Sequence, residues 1–271
     1  MSFDFSNPKE LVTNPLSYFC NVGEDYEKYR PLYPEAAIDK ILSGLPSPNQ
    51  LLAADIGAGT GISSRLLANR GVRVFAIEPN PDMFLAAKPH ERVKFLTGTA
   101  EKIPLETASV DLVISFQAFH WFDFIKSLAE FHRILKPGGR VALMWNFWQQ
   151  TDVISQAYTK LLFAAGSDRQ NQTSSSSQIK TLLQSLQYQL FWQGLWLPYF
   201  KNLRCHSFTF EQHLDLVGLV GLARSQGFTP QEGTALAELI LKLGEFCDRF
   251  SDNQGQVRLV YLTKLYIATS A

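Results

Sequence analysis

Residues 51–61 read LLAADIGAGTG, an apolar run interrupted by Asp55 and followed at once by Gly57, Gly59 and Gly61. A short apolar run bounded by turn residues reads as a strand covered on both faces. Glycines directly behind such a strand let backbone N–H groups come close to a ligand. The next residues, SSRLLANR (63–70), carry apolar positions on one face and stop at Gly71, which predicts a helix. The unit then repeats. VRVFAIE (72–78) predicts a second strand ending at Glu78, VKFLTG (93–98) a third, and VDLVISF (110–116) a fourth. A helix is expected from Asp123, its N-cap, to Leu135, after which KPGGR turns the chain into a fifth strand, VALMWN (141–146). Strands alternating with helices predict an α/β fold with a parallel sheet and right-handed crossovers.

The size of the chain and its charge narrow the reading further. With 271 residues and 46% hydrophobic content, one decorated domain can bury a full core. Twenty-five Lys and Arg against 25 Asp and Glu leave no basic excess, so no nucleic-acid partner is expected. Cys20, Cys205 and Cys247 are widely spaced and contain no CxxC pair, which argues against a disulfide framework and a zinc site. No metal is expected at all, because the His and acidic residues show no ligand spacing. The N-terminus lacks a basic segment followed by an apolar one, and no apolar run is long enough to span a bilayer. A soluble, unprocessed, cytoplasmic monomer or homodimer with no membrane partner is the expectation.

The character changes after Trp148. A helix is expected over about Val153 to Ala165, and the polar GSDRQNQTSSSSQ (166–178) reads as an exposed loop. The aromatic-rich stretch Leu182–Phe200, with Trp192 and Trp196, reads as part of a cap. LRCHSFTF (203–210) and VRLVYLTKLYIAT (257–269) partly alternate and predict two late strands, the second closing the sheet.

In open parallel sheets the ligand sits beyond the carboxyl ends of the strands. A nicotinamide site wants G-x-G-x-x-G, but Ile62 occupies the third glycine position, and the Asp55 carboxylate would repel a pyrophosphate. S-adenosylmethionine carries an ammonium and a sulfonium and no phosphate, so a carboxylate at the turn becomes favourable. Glu78 is placed to accept a ribose hydroxyl on each oxygen.

ADIGAGTGISSRLLA (54–68), IEPNPDM (77–83), GTAEKIPLETASVDLVISFQAFHWFD (98–123) and HRILKPGGRVALMWN (132–146), in that order, resemble the class I S-adenosylmethionine-dependent methyltransferases. More narrowly they resemble the type 11 group that includes trans-aconitate methyltransferase-like proteins. YEKYRPLYP (26–34), LVGLARSQGFTP (219–230) and GQVRLVYLTKLYIAT (255–269) are similar to terminal patterns of that group. The resemblance implies a Rossmann-like, seven-stranded, mostly parallel sheet with helices on both faces, a last strand running antiparallel, and a cap inserted after the fifth strand. Thr99 stands where many relatives carry Asp, and the Ser-rich segment is not a family signature.

Residue reading and resemblance together place the cofactor on Tyr26, Arg30, Asp55, Gly57, Ala58, Gly59, Thr60, Glu78, Pro79, Met83, Thr99, Ala100, Glu101 and Gln117. The acceptor falls to Tyr33, His120, Trp121, Trp145 and Arg224, with His120 as the candidate base. Arg30 can bind the carboxylate of either the cofactor or the acceptor. The expected organisation is an arm and cofactor core over 1–148, a variable cap over 149–201, and late strands and helices completing the sheet and acceptor site over 202–271. The expected function is methyl transfer from S-adenosylmethionine to a small molecule, a carboxylic acid being the first candidate. Two alternatives stay open: a protein that binds S-adenosylmethionine without turnover, and an NAD(P)-dependent oxidoreductase.

Overall fold

A computed structural model describes residues 23–170 and 198–271. Seven strands form one sheet in the order β3-β2-β1-β4-β5-β7-β6. β1 (Leu52–Ile56), β2 (Arg73–Ile77), β3 (Val93–Leu96), β4 (Val110–Phe116) and β5 (Leu135–Trp148) pair in parallel. β7 (Val257–Ser270) runs antiparallel to both β5 and β6 (Phe200–Leu214). The strand expected to close the sheet therefore lies inside it, and β6 forms the edge.

Strand alternation sorts the core into two layers. Ala54 and Ile56 of β1 face α5 (Phe124–Ile134), where Leu128, Phe131 and Ile134 are buried with Val113, Val141 and Trp145. Ala53 faces the other side, against α2 (Glu35–Leu42) and α3 (Ile62–Ala68), where Ile38, Ile41 and Leu67 pack on Leu112, Ile114 and Met144. Helices thus cover both faces, as the apolar strands require. A third cluster joins α6 (Val153–Gln170), α7 (Leu216–Arg224) and α8 (Gly233–Phe250) to β7 around Tyr158, Leu219, Leu243 and Leu259.

Local signals place most boundaries. Asp123 caps α5 by accepting from the Lys126 N–H at 3.2 Å. The short α4 (Pro81–Leu85) opens with Asn80 accepting from Asp82 N–H at 2.9 Å and Pro81 in its first turn. Two expectations need correction. KPGGR is not a turn ahead of β5 but a bulge within it: Leu135 pairs with Val110 and Arg140 with Leu112, and Gly138 takes φ +73° to let the extra residues loop out. The helix after Trp148 runs on to Gln170, so Gly166–Gln170 are helical rather than loop. The rest of the Ser-rich segment, most of the aromatic stretch with Trp192 and Trp196, and Cys20 lie outside the described residues.

The arm helix α1 (Gly23–Tyr29) bridges the two ends of the molecule. Glu27 pairs with Arg65 of α3 at 2.5 Å and with Lys88 at 3.4 Å. On the other side Asp25 pairs with Arg224 at 3.2 Å, and the Tyr29 carbonyl accepts from Gln212 Nε2 at 2.9 Å. The Tyr29 ring fills the notch left by Gly221, where a Cβ would overlap it. Gly221→Ala should therefore lift the arm, lowering stability by about 2 kcal/mol through overpacking. Thermal unfolding would read the loss, and faster hydrogen exchange over residues 23–30 would locate it.

Candidate active site

From β1 the sheet grows one way through β2 and β3, and from β4 the other way through β5. The loops after β1 and β4 meet at this switch point, where ligands of such sheets bind. Their contact depends on Gly57: at φ +70°, a Cβ there would stand 2.6 Å from Ala118 Cβ and 3.0 Å from Phe122 Cζ. Above the junction lies a pocket of about 410 Å³, part of it open to solvent. The arm contributes Tyr26, Arg30 and Tyr33, the loop and α3 contribute Gly57, Ala58 and Ser63, and the ends of β4 and β5 contribute Phe116, Gln117 and Asn146.

Asp55 shares the α3 side of β1 with Ala53, and this sets its partners. Fully buried, its Oδ2 accepts from the Ser63 and Ser64 hydroxyls, each at 2.6 Å. Its Oδ1 has no hydrogen-bond partner among the described residues. Burial raises the carboxyl to about 6, against the two serine bonds and with a contribution from Glu78. The buried Thr60 Oγ1 of the glycine turn is also unpartnered among them.

Glu78 follows β2 directly and is buried. Its Oε2 accepts from the Gly59 N–H at 2.7 Å and its Oε1 from the Asn80 N–H at 2.9 Å. Each oxygen therefore already carries one backbone bond, and ribose hydroxyls would use the remaining lone pairs. Burial pushes this carboxyl up, while the two backbone bonds pull it down. A Cβ at Gly59 would only touch its neighbours, at 3.9 Å from Met83 Cε and 4.0 Å from Tyr26 Cε1. Pro79 is half-buried next to Glu78.

Gln117 sits at φ +55°, a conformation costly for a side chain other than glycine. Two bonds hold it there: its N–H donates to the Met144 carbonyl at 2.8 Å, and its Nε2 to the Asn146 carbonyl at 2.9 Å. Asn146 in turn accepts from Thr263 Oγ1 at 2.7 Å and donates to the Leu32 carbonyl at 3.1 Å, tying β5, β7 and the arm together.

Arg30 lies over the Tyr26 ring at 4.6 Å and donates through Nη2 to the Ser225 carbonyl at 3.1 Å. Its Nε is buried without a partner, and no carboxylate pairs with it among the described residues. Tyr33 is buried with its ring 4.8 Å from Phe116, and burial pushes its hydroxyl well above 10. His120 accepts at Nδ1 from the Trp145 indole N–H at 3.3 Å. Burial, helped by the Arg30 charge, lowers its imidazole to about 4.

Several expected site residues have other employment. Trp145 is buried in the α5 layer and donates to His120. Arg224 is held by Asp25 rather than offered to an anion. Glu101 Oε1 accepts from the Asp123 N–H at 2.8 Å, securing the start of α5. Ala100 is buried in the same layer, Thr99 bridges to Lys102, and Trp121 packs 5.1 Å from His120. Ser63 and Ser64 were absent from the expected site, and Asn146 entered it only as the end of the fifth strand. The serines could have been found from their place one turn behind the glycine loop. Asn146 offers only the weaker signal of a polar residue ending an apolar strand.

Comparison with known proteins supports this architecture. Residues 54–143 match a family model described as a methyltransferase domain. An uncharacterized methyltransferase of Mycobacterium tuberculosis is 44% identical over 133 residues, covering 48% of this chain and 52% of the relative. A malonyl-[acyl-carrier protein] O-methyltransferase of Pectobacterium atrosepticum is 31% identical over 125 residues, covering 45% and 49%. The chain spans about half the length of the curated relatives it matches. A protein from Anaeromyxobacter dehalogenans assigned as a type II methyltransferase superposes with TM-score 0.58 at 23% identity, covering 89% of this chain and 97% of that one. Residues 54–143 thus match the methyltransferase-domain family, and the chain has the Rossmann-like fold of class I methyltransferases.

Proposed function

We propose that this protein is an S-adenosylmethionine-dependent methyltransferase acting on a small-molecule acid. The observation that carries the reading is the unpartnered, buried Asp55 Oδ1 behind the glycine turn. A buried carboxylate oxygen with no donor is costly, and a cationic ligand group relieves that cost where a pyrophosphate would add to it. Thr60 Oγ1, buried and without a partner among the described residues, extends the same cradle.

On this reading Asp55, Gly57, Ala58, Gly59 and Thr60 hold the methionine end, Glu78, Pro79 and Met83 the ribose, and Thr99, Ala100 and Glu101 the adenine. Arg30, lacking a carboxylate of its own, binds that of the ligand, with Tyr26 stacked beneath it. S-adenosylmethionine supplies an electrophilic methyl sulfonium, so the protein's task is to align the acceptor and exclude water. Gln117, Tyr33, His120 and Trp121 border the acceptor side. The acid is favoured by the likeness to a malonyl-[acyl-carrier protein] O-methyltransferase. Residues 1–148 form the arm and cofactor core, 149–201 the insertion, and 202–271 the completing strands and helices.

Calorimetric titration of the full chain tests this. One-to-one binding of S-adenosylmethionine and S-adenosylhomocysteine, and none of NAD, is the expected result. Binding of NAD alone would transfer the site to an oxidoreductase.

A further inference from the structure

The arm helix α1 lies directly on the glycine turn. The Tyr26 ring stands 4.0 Å, and Met83 Cε 3.9 Å, from where a Cβ on Gly59 would lie, which is ordinary contact. A ligand layer between two protein surfaces needs contact distance on each of its sides, about 8 Å between heavy atoms in all. None fits over Gly59 while Tyr26 is seated there. The two side chains that the reading above gives to the ribose are covered as well. Glu78 is 7% exposed and Met83 4%, and neither lines the pocket, which touches Gly57 and Ala58 of the turn. The arm thus leaves the methionine end of the turn open and shuts the ribose end.

A single carboxylate fastens the arm in this seat. Glu27 Oε1 meets Arg65 Nη2 at 2.5 Å, with the exposed Lys88 joining at 3.4 Å, and the Arg65 guanidinium also donates through Nη1 to the Thr60 carbonyl at 2.7 Å. The pair is largely buried, with the Glu27 side chain 8% exposed and that of Arg65 17%. Glu27 Oε2, however, is buried with no hydrogen-bond partner among the described residues. Parting the pair returns that oxygen to water, which offsets part of the lost bond. The other side of the arm is held at more points. Asp25 pairs with Arg224, Gln212 donates to the Tyr29 carbonyl, Arg30 donates to the Ser225 carbonyl, and the Tyr29 ring fills the Gly221 notch. An arm so held opens first at Glu27, with its cap side as the hinge.

We propose that the arm gates the ribose end of the cofactor site and that Glu27 and Arg65 are its latch. The cofactor seats only when the pair parts, and in the complex the arm rides one ligand layer higher with the pair still broken. The inference rests on the methyl-transfer reading above and assigns a control to that same site. Arg30 and Tyr26 then reach the ligand from the raised arm, while Arg65 keeps its bond to the Thr60 carbonyl and holds the turn in shape. Latch strength works against binding, because the apparent dissociation constant is the intrinsic one divided by the fraction of protein whose arm is open. Weakening the latch raises that fraction. Removing an interaction of the folded protein therefore tightens cofactor binding, the reverse of what the loss of a supporting contact does.

Calorimetry and stopped-flow binding of S-adenosylhomocysteine to the full chain test this, on wild type, Glu27→Ala and Gly221→Ala. Neither substituted residue is among those that hold the cofactor, and the two loosen the arm from opposite sides. In wild type the association rate should level off with ligand concentration at the rate of arm opening. Glu27→Ala should raise that ceiling and lower the dissociation constant by about tenfold, the worth of one charge-assisted bond, while its unfolding midpoint falls. Gly221→Ala should move all three quantities in the same directions. An arm that serves the fold alone would lower the midpoint and leave affinity equal or weaker, with association unchanged. That result in Glu27→Ala overturns the proposal, whether or not Gly221→Ala folds. Failure of all three chains to bind S-adenosylhomocysteine would overturn the methyl-transfer reading, and the gate with it.

Discussion

Asp55→Asn is expected to stabilise the ligand-free protein at pH 7.5 while weakening S-adenosylmethionine binding by about 100-fold. The carboxyl is held at about 6 in the folded protein, above the ordinary aspartate value of 3.8. Between those values the folded chain keeps a proton that the unfolded chain has released. Stability therefore falls as pH rises from about 4 to 6, and the ionised group costs about 3 kcal/mol by pH 7. Asparagine removes the charge and still accepts from Ser63 and Ser64. The amide cannot repay a ligand ammonium, however, and a lost charge partner in a buried site is worth about 3 kcal/mol, hence the 100-fold. Thermal unfolding across pH 4–8 and calorimetry at pH 7.5 read the two signs separately. In the variant the fall in stability between pH 4 and 6 should flatten. A variant that is less stable at pH 7.5, or that binds as tightly as wild type, would show that Asp55 does not hold the ligand ammonium.

Glu78→Ala should cost on both counts together. Two backbone donors, the part-buried Gly59 N–H and the buried Asn80 N–H, lose a charged acceptor at once. Leaving each unsatisfied costs about 1–3 kcal/mol, so a destabilisation of about 3 kcal/mol is expected. The Gly59 bond also ties the glycine turn to the end of β2. Without it the turn loses its anchor, and S-adenosylhomocysteine binding should fall by about 100-fold or more, beyond the lost ribose contacts. Unfolding midpoints and calorimetry on the same samples measure both. Full affinity in a destabilised Glu78→Ala would show that the carboxylate serves the fold alone.

The contrast between these two carboxylates shows where sequence reading stops. Both stood out as candidate site residues from their positions at the ends of apolar strands. Their partners did not. Strand alternation turns Asp55 toward α3, where two serine hydroxyls meet one of its oxygens and none of the described residues meets the other. Glu78 was expected to offer both oxygens to ribose, yet the chain uses each of them to fix a turn. Arg224 sat in a recognisable segment, but its charge is answered by Asp25, a residue of the arm about two hundred positions earlier.

What the sequence by itself determined is the part governed by local periodicity and turn chemistry. Apolar runs of strand length, the Asp123 cap and the glycine turn settled β1 to β4, the centre of β5, and the helices α3 and α5. The tertiary structure alone decided the rest. That β7 enters between β5 and β6, that KPGGR bulges inside a strand, and that the arm locks α3 to α7 depend on pairings between distant residues. The same holds for His120: its residue type permits a base or a donor, and only the indole of Trp145, delivered from the neighbouring strand, selects the tautomer. Side-chain identity sets which chemistry is available, and the proton, charge and lone pair that remain free are set by neighbours that meet only when the chain has folded.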